Sequence, residues 1–581
     1  MALEVDPLDY CANRFGLGHE LVMERAAQWA GLTYAPRVPS TMPGSPVIER
    51  IERLGEVRTV RARLFERDVI YSAPRFSEVL ALRRHALRHP EFRRSFCLVP
   101  EDAIRSELAA ASEEVLLTEA RHRLFRKWPR ASAHLDLSRA SRFGFAAGLL
   151  GLLVLAVLAP FFAKPVFVPL VGLILAVPAG LRLWAALAPP PEQAPAPVLD
   201  DTELPVYTVL LPLRDEAHMV RQLSNAMRDI DYPPEKLHVL FLVEQRSPET
   251  VAAVIGQLHD PRFELLLVPD ALPRTKPKAL NYALPFVRGE HLVVYDAEDI
   301  PEAGQLRRAA STFAVRPEID CLQAELVVDN AAESWLTALF AGEYAGQFGL
   351  MLPLLARLGL PMPLGGTSNH FRTSALRLIG GWDPFNVTED ADLGVRLARR
   401  GLRSDTIDSQ TAEEAPIRLQ PWLTQRTRWM KGWMQTFIVH NSHPRELLAD
   451  LGLKGFLGFQ IYVGSLILSG PLHTLFVLSV VLSALFGGIV VDLWFLISCL
   501  VFIVGYGGPV ALAVAGLWRL QRPGLIAVQV LLPVYWILHS VAGLRALREL
   551  MTRPYFWAKT QHGETRVPRN RAIRPTPAQA E

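Results

Sequence analysis

Cysteine is scarce. Cys11, Cys97, Cys321 and Cys499 are the only four in 581 residues, with no CxxC pair and no short spacing to a histidine. That pattern supports neither a disulfide framework nor a zinc site, and free thiols in a reducing compartment are expected. Charge is scarce as well: 20% of residues are charged and 50% hydrophobic, which points to a chain partly in a membrane and partly soluble. An excess of one sign is missing, since 61 basic residues against 58 acidic ones leave +3; no nucleic-acid partner is expected. The first 30 residues lack the uninterrupted apolar core of a signal peptide, because Asp6, Asp9, Arg14 and Glu20 break it. The N-terminus is therefore expected to stay cytoplasmic.

What is present divides the chain. Residues 1–140 show amphipathic stretches at 15–30 and 76–88 and predict a small α+β cytoplasmic domain for regulation or docking. Two almost uncharged stretches, 143–163 and 165–187, are each long enough to cross a bilayer, so 141–188 predicts a transmembrane hairpin with both ends cytoplasmic by the basic residues Arg139, Arg142 and Arg182. A proline-dense linker follows over 189–204. From 205 to 450, the runs VYTVLLP, HVLFLV, FELLLV and HLVVYD alternate with amphipathic stretches, which predicts a parallel βαβαβ sheet. Apolar blocks return at 456–470, 471–491, 493–516 and 525–544, within a membrane or interfacial region 451–550. A basic tail, 551–581, argues for a cytoplasmic C-terminus and an even number of crossings. Either 456–470 crosses by itself or one block lies flat at the interface.

Ligands of open α/β sheets sit beyond the carboxyl ends of the strands. Polar residues cluster there: Pro212, Arg214, Asp215 and Glu216 after the first strand, Glu244 after the second, and Asp296, Glu298 and Asp299 after the fourth. Such a crowd of carboxylates suits a hard divalent cation, Mg2+ or Mn2+, and such ions accompany diphosphates. Lys276 and Lys278, just before a helix expected near Ala279, suit a phosphate.

Four motifs in order resemble a family 2 glycosyltransferase of the processive, membrane-embedded kind, related to cellulose and hyaluronan synthases. They are Pro212–Glu216, the DxD-like Asp296-Ala297-Glu298, the triplet Thr388-Glu389-Asp390, and Gln425-Arg426-Thr427-Arg428-Trp429, which matches QxxRW. The resemblance covers about 200–560. It implies an α/β nucleotide-diphospho-sugar transferase fold (GT-A-like) inserted between transmembrane helices. It also implies an inverting, metal-dependent transferase in the inner membrane, polymerising sugars from a nucleotide-sugar donor, UDP-linked in the family's usual pattern. The growing glycan would leave as an exopolysaccharide through the enzyme's own helices, in contact with membrane lipids.

By the same resemblance Asp390 is the candidate base, with Glu389 and Trp429 on the acceptor side. Asp390 is expected in the first turn of a helix, where the dipole favours its charge and a buried apolar wall would oppose it. Asp296, Glu298 and Asp299 are candidate metal ligands; Pro212, Arg214, Glu216, Glu244, Lys276, Lys278, Gln425 and Arg428 are donor-side residues. Beyond the last apolar block, 553–563 is similar to a gating segment, in which Trp557, Lys559 and Thr560 would close over the diphosphate. Two departures stand out: Glu244 and Glu298 occupy positions where the family usually has aspartate. Residues 13–37 and 96–108 resemble the N-terminal domain of type II secretion ATPases, which implies cyclic di-GMP or an export protein as a partner. The alternatives are a single transfer to a polyprenyl-phosphate lipid, or a catalytically silent receptor or export subunit.

Overall fold

The computed structural model describes residues 5–39, 51–64, 67–158, 164–189, 197–487 and 491–559, with Gly563 and Thr565. At the N-terminus, β1 (Thr33–Tyr34), β2 (Thr59–Leu64), β3 (Arg67–Ser72) and β4 (Phe96–Leu98) form a four-stranded sheet in the order β1-β4-β3-β2. The helices His19–Ala30 and Phe76–Arg88 match the two amphipathic stretches. This small core ends at Leu108. Leu116 and Ala120, from the helix Glu113–Lys127, belong instead to the core of the large sheet. The expected boundary at 140 thus falls within a segment that already packs on the next domain.

The large sheet holds eight strands: β5 (Tyr207–Leu213), β6 (Leu237–Glu244), β7 (Phe263–Val268), β8 (His291–Val294), β9 (Ile300–Pro301), β10 (Cys321–Val328), β11 (Asn369–Arg372) and β12 (Ser404–Glu413). Their order is β7-β6-β5-β8-β11-β10-β12-β9. The first four are parallel, and the inner strands β5, β6 and β8 are Val- and Leu-rich runs buried on both faces, while edge strand β7 leaves Leu267 exposed. The other half is mixed, because β11 runs antiparallel between β8 and β10. This is the GT-A-like α/β architecture, with a longer and more mixed sheet than the four apolar runs announce.

Among the described residues, five helices are long and apolar enough to cross a membrane: Arg139–Leu158, Pro165–Leu187, Pro444–Phe486, Leu493–Arg519 and Pro523–Thr552. The blocks 456–470 and 471–491 are not separate. One helix, Pro444–Gly487, runs through both with Pro471 inside it, and its only non-helical residue is Gly452. The last segment returns to the domain it left. Near its start, Gln529 Nε2 donates to Ala338 O at 3.0 Å. Near its end, Glu549 pairs with Lys431 at 2.9 Å, and Arg142 donates to the carbonyls of Leu550 and Met551, a favourable cation at a helix C-terminus.

Candidate active site

The C-terminal strand ends open onto a cavity of about 220 Å3. β5 brings Pro212 and Arg214 to its wall, β6 brings Glu244, the loop after β8 brings Asp296 and Glu298, and β12 brings Glu413. Three helices complete it. Lys276–Ala283 supplies Lys276 at its first turn; Glu389–Arg399, capped by Thr388, supplies Glu389 and Asp390; Leu419–Asn441 supplies Gln425, Arg428 and Trp429. The last two helices touch closely at Gly432, where a methyl would meet the Thr388 side chain; only glycine lets that helix press on the Thr388–Asp390 loop. Behind the loop, buried Asp392 pairs with Arg396 at 2.7 Å and His440 at 3.1 Å, pinning the same two helices together.

Charges of both signs converge at Gly366. A methyl placed there would lie 3.0 Å from Asp390 Oδ2, 3.9 Å from Asp296 Oδ2 and 4.0 Å from Lys276 Nζ. Lys276 donates to Asp296 Oδ1 at 2.5 Å and to Gly366 O at 2.6 Å. Burial works against its charge, yet Asp296, Glu389 and Asp390 hold its pKa above the usual lysine value. Burial raises Asp390, while the Ala391 N–H that it accepts at 2.7 Å, Lys276 and Arg428 pull it back. Burial is thus the largest influence on Asp390, and the net direction is upward. Glu389 is pushed up to about 7, first by burial and then by the neighbouring Asp390.

Several polar atoms on these walls are buried and have no hydrogen-bond partner among the described residues: Glu244 Oε2, Gln425 Oε1, Arg428 Nε and Trp557 Nε1. Buried polar atoms are costly when unpaired, and their convergence marks a polar ligand. Asp296 keeps 30% of its side chain exposed, and Glu298 shares its wall. Two hard-oxygen ligands suit a Mg2+ or Mn2+ that also binds phosphate oxygens. Among the described residues, no group of three His, Cys, Asp or Glu forms a protein-only metal cage.

Residues 291–538 match the family model described as glycosyl transferase family group 2. This segment is similar to a family 2 glycosyltransferase domain. Among curated proteins, the chain is 25% identical over 290 residues to the beta-monoglucosyldiacylglycerol synthase of Synechocystis, covering 48% of this chain and 59% of that protein. It is 27% identical over 261 residues to cellulose synthase 2 of Novacetimonas hansenii, covering 43% of this chain and 16% of that one. A solved mannosyltransferase from Pyrobaculum calidifontis, in complex with GDP-Man and Mn2+, aligns at 21% identity with a TM-score of 0.42, over 63% of this chain and 99% of that one.

The glycosyltransferase domain brings most of the expected residues to one cavity: Pro212, Arg214, Glu216, Glu244, Lys276, Asp296, Glu298, Glu389, Asp390, Gln425, Arg428, Trp429, Trp557 and Lys559 all line it. Two do not. The helix starts at Lys276 and not near Ala279, which turns Lys278 inward: its ammonium donates to the carbonyls of Pro269 and Ala271 and lies 3.7 Å from Glu244. Lys278 is thus a prop for Glu244 and not a phosphate contact. Asp299 is fully buried behind the metal wall, accepting from Asp296 N at 2.6 Å and from the Thr367 hydroxyl. Burial, with Asp296 and Glu298 beside it, pushes its carboxyl well above the usual range; it braces the loop and does not face the cavity. Lys559 donates to the carbonyls of Arg214 and Asp215 and sits 3.3 Å from Glu216. Thr560 lies outside the described residues.

The glycosyltransferase domain also lines the cavity with residues the motifs did not single out. Glu343, Tyr344, Gln347 and Phe348 come from the helix Trp335–Gly346 and the π-turn after it, and Arg426 from within the QxxRW stretch. One signal was available: Glu343 is the lone acid in the apolar run WLTALFAGEYAG.

Proposed function

We propose that the protein transfers a sugar with inversion from a nucleotide-sugar donor to an acceptor hydroxyl, and that it polymerises an exopolysaccharide at the inner membrane. The observation that carries this reading is the meeting of Asp390, Asp296 and Lys276 around Gly366. An in-line displacement needs a base on one side of the anomeric carbon and charge neutralisation for the leaving diphosphate on the other. Asp390 takes the proton of the attacking hydroxyl. Lys276 and Arg428 hold phosphate oxygens, Arg428 through a guanidinium whose Nε lacks a protein partner. Asp296 and Glu298 would hold Mg2+ or Mn2+, which supplies charge neutralisation for the leaving group. Glu244, propped by Lys278, faces the nucleobase, and Trp557 and Lys559 close over the donor. A UDP-linked donor is the family's usual one.

Trp429 forms a flat face for the acceptor, stacked on Tyr344 at 6.3 Å with the planes 18° apart. Aromatic faces bind sugar rings while forming few fixed hydrogen bonds, which suits an advancing chain better than one fixed lipid phosphate. Membrane topology supports export. Both ends of Pro523–Thr552 close on the catalytic domain, so we read it as an interfacial helix; four crossings then remain, and the catalytic domain and both termini share the cytoplasmic side. The N-terminal domain, docked through Arg105 and Glu264, is read as regulatory, with cyclic di-GMP or an export protein as its partner. The test is to incubate the detergent-solubilised protein with a panel of nucleotide sugars and Mg2+ or Mn2+. Release of diphosphate with a ladder of long products is expected. A single short lipid-linked product would replace the polymerase reading with the polyprenyl-phosphate one, and no release with any donor would favour the silent subunit.

A further inference from the structure

Arg426 is fully buried, and its two terminal nitrogens clasp Glu343 at 2.7 Å each, one to Oε1 and one to Oε2. The Tyr535 hydroxyl donates to Glu343 Oε2 at 3.0 Å and itself accepts from Trp422 Nε1 at 3.2 Å. This assembly joins three separate parts of the chain: the helix Trp335–Gly346, the QxxRW helix and the interfacial helix that holds Tyr535. The guanidinium also lies 4.6 Å from the ring centre of Trp429 and 4.5 Å from that of Phe340. A carboxylate offers about four acceptor positions. Arg426 and Tyr535 fill three of Glu343's. The side chain keeps 33% exposure and lines the cavity beside Trp429 and Tyr344.

Arg426 needs Glu343 as a counter-charge, but that need alone does not require the carboxylate to open onto the cavity. We infer that Glu343 is an acceptor-binding residue: its remaining acceptor position takes a hydroxyl of the acceptor sugar lying on Trp429, while Arg426 and Tyr535 fix its orientation. The acceptor class follows. The charges of Glu343 and Arg426 cancel as a pair, so this wall offers one open carboxylate acceptor position and aromatic faces, with the guanidinium buried and engaged. It suits a neutral polyhydroxyl acceptor, while the engaged guanidinium is closed to a phosphate. This rests on the transferase reading above.

The test compares wild type, Glu343→Gln and Tyr535→Phe in one assay of sugar transfer from the donor panel to a neutral oligosaccharide. Glu343→Gln keeps the shape and loses the charge, so the acceptor KM should rise about tenfold, the scale of one hydrogen bond to a charged group, with donor KM within about twofold. Tyr535→Phe removes the hydroxyl that orients Glu343 and that also accepts from Trp422 and Arg426, and should raise acceptor KM by a smaller factor and in the same direction. A merely structural role gives a lower melting temperature with acceptor KM unchanged in the folded fraction, and overturns the inference. Equal rises in donor and acceptor KM overturn it as well. Absence of wild-type turnover with every donor strikes the transferase reading instead, so the two failures are distinguishable.

Discussion

The sheet side and the helix side of the cavity are built by opposite means. On the sheet side, carboxylates at the strand ends meet lysines from the first turn of the helix Lys276–Ala283: Asp296 against Lys276, and Glu244 against Lys278. On the helix side, one ion pair, Glu343 with Arg426, is enclosed by Phe340, Trp422, Trp429 and Tyr535. A leaving diphosphate needs fixed charges close by, and a rigid sheet edge supplies them without reorganisation. A sugar chain needs broad flat contact, which helix-borne rings supply.

The largest expected effect is at the start of the helix Glu389–Arg399, where Asp390 faces the charged side of the cavity. Asp390→Asn should lower turnover about 10³-fold with donor affinity nearly unchanged, measured by diphosphate release and by donor titration. A parallel collapse of donor binding would make Asp390 a donor residue and erase the division. Next comes Lys276→Met, expected to weaken donor binding about tenfold to a hundredfold through loss of a charge-assisted contact, with acceptor KM little changed.

The pH profile sharpens the same division. Glu389 is raised to about 7, and Asp390 is raised too, by burial first. A base acts ionised, so turnover should be low in acid and climb as pH rises through the raised values of the pair, with a midpoint above the ordinary carboxylate range instead of near 4. Lys276 lowers both values, so Lys276→Met should move the limb to higher pH. An acid limb that stays near 4 would remove Asp390 and Glu389 from the rate-controlling titration. On the helix side, Trp429→Ala should raise acceptor KM several-fold, on the scale of one aromatic contact, about 1 kcal/mol, and leave the pH limb in place.

The smallest effect on chemistry is expected at the N-terminal junction. Arg105 grips Glu264 with two bonds of 2.7 Å, and Arg288 reaches both Glu264 and Glu101. Burial opposes ionisation of Glu101, yet Arg288, Arg105 and Arg58 bring it down to about 2. A depressed carboxyl stabilises the fold fully above its ordinary value of 4.5 and loses that contribution as pH falls towards 2. Docking of residues 5–108 should therefore weaken between about pH 5 and 2, followed by hydrogen exchange across β7. Glu101→Gln should flatten that dependence without moving the donor KM, and unchanged exchange would detach this cluster from docking.

The legible residues share a property. Asp296, Glu298, Asp390, Gln425 and Arg428 stand in short local strings, and a strand end or a helix start is enough to place them. Lys278 misled because a helix that starts at Lys276, three residues before Ala279, turns its side chain from the cavity to the interior. Asp299 misled because three acids in four residues cannot all face one ion. β11 and β12 escaped because NHFR is short and SDTIDSQTAE polar, and β10 because Gln323 and Glu325 interrupt the apolar run CLQAELVV; their pairing also joins residues far apart in the chain.

The sequence by itself determined the parallel half of the sheet, the apolar segments and the order of the acidic and basic motifs, since each depends on neighbours a few residues away. Tertiary structure alone decided that Pro523–Thr552 returns to the domain it left, that Tyr535 meets Glu343 across 192 residues, and that burial raises Asp390. Burial and long-range pairing are set by what packs on a group, and no local string carries that information.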